Sequence, residues 1–160
     1  MKTMDNLKVE TTYSGKVFPE DASIDSDWII ELMENMKNNT FIHTKYLFNM
    51  ITKVKEHYQN LPSLVDVDIP EYLKLITQRD KEFTVCGDVH GQYYDLLNIF
   101  KINGYPSKEN PYLFNGDFVD RGSFSVEIII TLIAWKILLP EHFHLARGNH
   151  ETKNLNKLYG

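Results

Sequence analysis

Apolar positions recur with two different periods along this 160-residue chain, and the change falls near Glu82. Up to about Ser26 the sequence is polar, and "YSGKVFPEDAS" carries Gly15 and Pro19. That stretch, residues 1–25, reads as an arm or linker that lies over a surface instead of building a core. In "DSDWIIELMENMKNN", Trp28, Ile29, Leu32, Met33 and Met36 fall at helical spacing, with Asp25 or Ser26 available as N-cap. "HTKYLFNMITKVKEHYQNL" continues in the same style, with Tyr46, Leu47, Met50, Ile51, Val54 and Tyr58 on one side, and Pro62 closes it. These Met and aromatic stripes read as core packing.

From Glu82 the texture is different. "EFTVCG" is a short β-rich run ended by glycine, and "QYYDLLNIFKING" is a helical pattern ended by Gly104. "NPYLFNG" is a second strand, "SFSVEIIITLIAWKILLP" a second helix stopped by Pro140, and "HFHLARG" a third strand. Strand, helix, strand, helix, strand with such connections is a βαβαβ unit, so the fold class is α/β with a parallel sheet. The strands read as near-continuous apolar runs, as strands covered on both faces do. No internal repeat is visible.

Composition narrows the classes. At 42% apolar and 24% charged the chain is an ordinary globular sequence, long enough for one domain but not two. The formal charge of −5 argues against a nucleic-acid surface, which normally shows a basic stripe. The single cysteine, Cys86, allows no internal disulfide, so a reducing compartment is expected. The first twenty residues hold no apolar signal region, and Val126–Pro140 is shorter than the roughly 20 residues of a membrane span and is interrupted by Lys136. Cytosol or nucleus is the expected location, with no membrane span.

Each strand is followed at once by a polar cluster: "GDVHG" (Gly87–Gly91), "GDFVDRG" (Gly116–Gly122) and "RGNHE" (Arg147–Glu151). The carboxyl ends of parallel strands form the ligand crevice of open sheets, so the clusters are expected to converge. Asp88, His90, Asp117 and Asn149 then offer carboxylate oxygens, an imidazole nitrogen and an amide oxygen. This mixed set suits Mn²⁺, Fe or Zn²⁺, and the lack of thiolates disfavours a structural zinc site. Two ions about 3.5–4 Å apart would clamp the attacking and leaving oxygens of a phosphoryl displacement. Arg121 could bind phosphate oxygens bidentately. His150 could protonate a leaving alkoxide, with Asp120 as a candidate to orient it. Each piece has a plainer reading: Asp88 as a helix N-cap, His90 as a hydrogen-bonded histidine, Asn149 in a left-handed turn, Arg121 paired with Asp120 at the surface. Cys86 reads as a small buried strand residue. Three glycine-flanked clusters at three strand ends are hard to explain as separate accidents.

"GDVHGQYYDLL", "GDFVDRG" and "RGNHE", in this order, resemble the three signature motifs of the phosphoprotein phosphatases, the metal-dependent serine/threonine phosphatases of the calcineurin-like metallophosphoesterase superfamily. Asn115, "GSFSVE" and Thr152 are most similar to the type 5 branch, and the resemblance runs from about Thr12 to Gly160. It implies a β-sandwich flanked by helices, of which this chain resembles the amino-terminal half. It also implies Asp88, His90, Asp117 and Asn149 as metal ligands with Asp117 bridging, Arg121 on the phosphate with Asn149 beside it, and His150 as proton donor held by Asp120. The implied cofactors are two ions, Mn²⁺ and/or Fe, with Zn²⁺ possible. The implied substrates are phosphoserine and phosphothreonine proteins, with regulatory protein partners. The family's second half supplies two further histidine ligands, a second arginine and much of the other sheet. The repeat domain carried in front by the type 5 branch is not expected here, since no 34-residue helical repeat precedes Tyr13. Two other readings compete: a binuclear phosphoesterase acting on nucleotides or diesters, and a non-catalytic truncated form that binds partners or regulators.

Overall fold

The computed structural model describes residues 7–67 and 83–159; Glu82, the expected start of the first strand, and Gly160 lie outside them. Helix α1 (Ser26–Lys37) starts where a capping residue was expected: the Asp25 carboxylate accepts the Trp28 N–H at 2.8 Å. It buries Ile29, Leu32, Met33 and Met36. Helix α2 (Thr44–Gln59) is capped by the His43 ring, which accepts from the Lys45 N–H at 3.1 Å. Met50 and Val54 are buried, but Ile51 and Tyr58, expected on the same inward face, are 43% and 36% exposed. The covered stripe of α2 is narrower than its apolar pattern.

The βαβαβ unit follows, as β1 (Thr84–Cys86), α3 (Tyr93–Asn103), β2 (Tyr112–Phe114), α4 (Ser125–Leu138) and β3 (Phe143–Leu145). The strands form one parallel sheet in the order β1-β2-β3, with Cys86 opposite Phe114 and Phe114 opposite Leu145. Each strand pairs over three residues, fewer than the apolar runs extend, because the polar loops peel away from the ladder directly after Cys86, Phe114 and Leu145. A short helix α5 (Lys153–Tyr159), which no apolar period announces, follows the third loop.

Side chains alternate across a strand. Cys86, Tyr112, Phe114 and Phe143 all point into the core, while Val85 on the other face is 64% exposed and Leu113 and His144 are half-buried. Cover on both faces was expected; among the described residues one face is fully packed and the other only partly covered, where Leu113 and His144 share a cavity with Tyr58. α4 explains its own hydrophobicity, because α1, α2, α3 and β3 all contact it. Trp135 at its centre is fully buried, with Phe100 at 6.1 Å and Tyr105 stacked at 5.9 Å. No described helix is long and apolar enough to cross a membrane.

The arm does more than was expected of it. Phe18 is buried in the core and meets Trp28 edge to face at 6.0 Å, and the Trp28 indole N–H donates to the Val17 carbonyl at 3.1 Å. Tyr13 donates to the Lys16 carbonyl and accepts from the His43 N–H. An isolated aromatic in a polar stretch has no period to reveal that it is buried.

Candidate active site

The first two loops are laced together by their backbones. The Val89 and His90 N–H groups both donate to the Asp117 carbonyl, at 3.2 and 3.0 Å, and Gly91 N–H donates to the Phe118 carbonyl at 2.9 Å. In return Gly122 N–H donates to the His90 carbonyl at 2.9 Å. This lacing brings one ligand atom from each of Asp88, His90 and Asp117 within 4.8 Å of the others.

His90 is prepared for a cation. Its Nδ1 lies 3.0 Å from the Val119 carbonyl, which can only accept, so Nδ1 carries the proton and Nε2 presents a lone pair. Nε2 is buried, lies 3.6 Å from Asp88 Oδ2, and has no hydrogen-bond partner among the described residues. A ligating histidine typically donates its other N–H to a backbone carbonyl in this way. An orphaned imidazole nitrogen beside two carboxylates fits a metal ion of the kind that takes mixed oxygen and nitrogen donors.

Behind this cluster sits the second group. His150 and Asp120 are both buried, and His150 Nδ1 donates to Asp120 Oδ2 at 2.8 Å. Arg121, which is exposed, donates from Nη2 to His150 Nε2 at 3.3 Å. The His90 and His150 rings meet edge to face at 4.7 Å, which joins the Asp88, His90 and Asp117 cluster to the His150–Asp120 pair. The Asp120 N–H donates to Ser125 Oγ at 3.0 Å, which ties this acid to the first residue of α4. Asn149 is exposed, and the N–H of the following residue, His150, donates to Asp117 Oδ1 at 2.8 Å, so this peptide lies against the central carboxylate.

The backbone is strained at this place. His90 (φ 38°), Asp117 (φ 53°), Asp120 (φ 70°) and Arg121 (φ 65°) are non-glycine residues in the left-handed region. Such residues cost energy and persist only where the surroundings over-determine them, commonly at functional sites. Gly116 and Gly148 let loops two and three touch. A Cβ on Gly116 would lie 2.2 Å from the Gly148 nitrogen, and one on Gly148 would lie 2.2 Å from Asp117 Oδ1.

Glu151 was not singled out from the sequence. Its carboxylate accepts from the Asp117, Phe118 and Gly148 N–H groups at 2.7–2.8 Å. The only available signal was its place at the end of "RGNHE". Cys86, in contrast, is a buried strand residue whose thiol is pushed up to about 11 by burial, which leaves it no nucleophilic role near neutrality. A cavity of about 270 Å³, lined by Tyr58, Leu113, Lys136 and His144 among others, contains none of the site residues.

Comparison with known proteins agrees with this fold. The family model described as calcineurin-like phosphoesterase matches residues 81–160. A second model, described as the PPP5 TPR repeat region, matches residues 1–66; the described part of that stretch is the arm with α1 and α2, and both helices pack on α4. Serine/threonine-protein phosphatase 5 of Solanum lycopersicum is 51% identical over 154 residues, covering 96% of this chain and 26% of the relative. The Homo sapiens protein of the same name is 48% identical over 157 residues, covering 98% and 30%. The chain thus spans about a quarter to a third of the length of these relatives. A solved protein serine/threonine phosphatase from Saccharomyces cerevisiae, described as similar to human phosphatase PP5, superposes with a TM-score of 0.75 at 37% identity, over 86% of this chain and 42% of its own. This chain belongs to the calcineurin-like phosphoesterase family.

Proposed function

We propose that this chain carries the residues of a serine/threonine protein phosphatase site, which hydrolyses phosphoserine and phosphothreonine in proteins. The observation that carries the reading is the donor cluster of Asp88, His90 and Asp117 within 4.8 Å, set directly against the His150–Asp120 pair and Arg121. Asp88, His90, Asp117 and Asn149 would hold two ions, Mn²⁺ and/or Fe, with Zn²⁺ also suited to the donors. When bound, such ions supply Lewis-acid polarisation of the phosphoryl group and activation of water.

The protein's own groups do the rest. Arg121 and Asn149, both exposed at the rim, grip the phosphate oxygens. Arg121 occupies His150 Nε2 in this structure. When a phosphate draws the guanidinium away, Nε2 takes up a proton from solvent, and the resulting imidazolium passes it to the departing serine or threonine oxygen. The Asp120 carboxylate holds Nδ1–H, which fixes the ring's orientation and stabilises the imidazolium that this transfer needs.

The test is hydrolysis of a phosphothreonine peptide by the chain loaded with Mn²⁺, followed by phosphate release. Release that depends on Mn²⁺ and is abolished by Asp117→Asn supports the reading. Absent release together with absent metal uptake overturns it.

A further inference from the structure

We propose that Glu151 is a positioning residue that folds the second loop around Asp117 before any ion arrives; this rests on the reading of Asp117 as a metal ligand. Oε2 of Glu151 accepts from the Asp117 N–H and the Gly148 N–H, both at 2.8 Å, and Oε1 accepts from the Phe118 N–H at 2.7 Å. The N–H groups of Asp117 and Phe118 therefore converge on a single carboxylate, an arrangement that successive backbone amides adopt around anions. Here the chain fills that position with its own side chain. Asp117 stands at a φ of 53°, a region that Asp enters more readily than most non-glycine residues but at a cost that restraint from the surroundings must offset.

The third loop supplies that restraint twice. Glu151 grips the backbone of residue 117, and the His150 N–H grips its side chain, at Oδ1. The Glu151 main chain is itself fixed, because Arg147 Nε donates to its carbonyl at 3.2 Å. Both oxygens of the Glu151 carboxylate are occupied by N–H donors, and the donor cluster among the described residues does not include it. It acts on the ion only through Asp117. The "RGNHE" loop thus contributes a splint for the neighbouring loop, in addition to Asn149 and His150.

A single carboxylate serving three donors cannot be replaced by an amide, because the NH₂ end of glutamine faces donors and has nothing to accept with. The experiment compares the 160-residue chain with Glu151→Gln and Glu151→Ala, first by amide hydrogen exchange in metal-free protein, then by Mn²⁺ titration. The Asp117, Phe118 and Gly148 amides are expected to exchange at least about tenfold faster in both variants, with α4 amides unchanged in Glu151→Gln. The Mn²⁺ dissociation constant should rise about tenfold to a hundredfold, as for other groups that orient metal ligands. Unchanged protection of the three amides overturns the inference, and so does lost protection with unchanged Mn²⁺ affinity. If Glu151→Ala unfolds, the Glu151→Gln exchange pattern decides. If the wild-type chain takes up no Mn²⁺, the metal reading falls, and the exchange data still decide whether Glu151 holds Asp117.

Discussion

His150 donates from Nδ1 to Asp120 Oδ2 at 2.8 Å, and both side chains are buried. The pair joins loops two and three through side chains that the sequence separates by thirty positions. With Arg121 on the opposite ring nitrogen, the imidazole is gripped at both ends.

If His150 donates the proton to the leaving group, Asp120→Asn should lower hydrolysis of a phosphothreonine peptide by about a hundredfold, in line with the usual contribution of a general acid. The loss on p-nitrophenyl phosphate should be much smaller, because that leaving group departs without protonation. Steady-state rates on the two substrates check this, with Mn²⁺ affinity unchanged. Equal losses on both would show that Asp120 acts elsewhere.

Loops two and three touch because neither Gly116 nor Gly148 has a side chain, and Gly116 is the more constrained of the two. Its φ of 106° and the 2.2 Å approach of a Cβ to the Gly148 nitrogen make Gly116→Ala both strained and obstructed. Urea unfolding should show a loss of at least about 2 kcal/mol. A change below about 0.5 kcal/mol, the usual range for an unconstrained surface site, would mean that the interlock is loose.

Trp135 presents a contrast within one side chain. It is fully buried, yet its Nε1 has no hydrogen-bond partner among the described residues. Trp135→Ala should cost about 3–5 kcal/mol from the cavity it leaves. Trp135→Phe removes an unpaired donor together with some volume, so its cost should be well below that. Thermal unfolding of the two variants separates packing from polarity, and equal costs would contradict the distinction.

Acid should destabilise the fold through two histidines far from the chemistry. Burial, followed by the Lys136 charge, pushes both His57 and His144 below the ordinary histidine value. The unfolded chain keeps that ordinary value, so it binds more protons as the pH falls through about 6.5. Stability present above that pH is then lost on acidification. The unfolding midpoint should drop between pH 7.5 and 5.5, and drop less in a His57→Gln, His144→Gln double variant. An identical pH slope in both proteins would assign the effect to other groups.

The sheet and its rim were legible because glycine and polar residues punctuate the apolar runs after each strand. "GDVHG", "GDFVDRG" and "RGNHE" sit at consecutive strand ends, and parallel topology brings such ends together. Three things were hidden for physical reasons. Glu151 acts through three backbone N–H groups, and no residue type marks a backbone donor. The left-handed conformations of His90, Asp117, Asp120 and Arg121 leave no mark in the pattern, because Asp and His enter that region more readily than most residues yet occupy it in only a small minority of cases. Phe18 and Ile51 break the simple inside–outside pattern in opposite senses, since coverage depends on which neighbour lies above each residue.

The most direct test is an Mn²⁺ titration of the 160-residue chain, read from the spectrum of the free ion, beside Asp88→Asn, His90→Gln and Asp117→Asn. The expected result is saturable uptake by the wild-type chain that weakens at least about tenfold in each variant, with Asp117→Asn losing most. Uptake that is equal in all four proteins, or absent from the wild-type chain, would contradict the metal centre on which the functional reading stands.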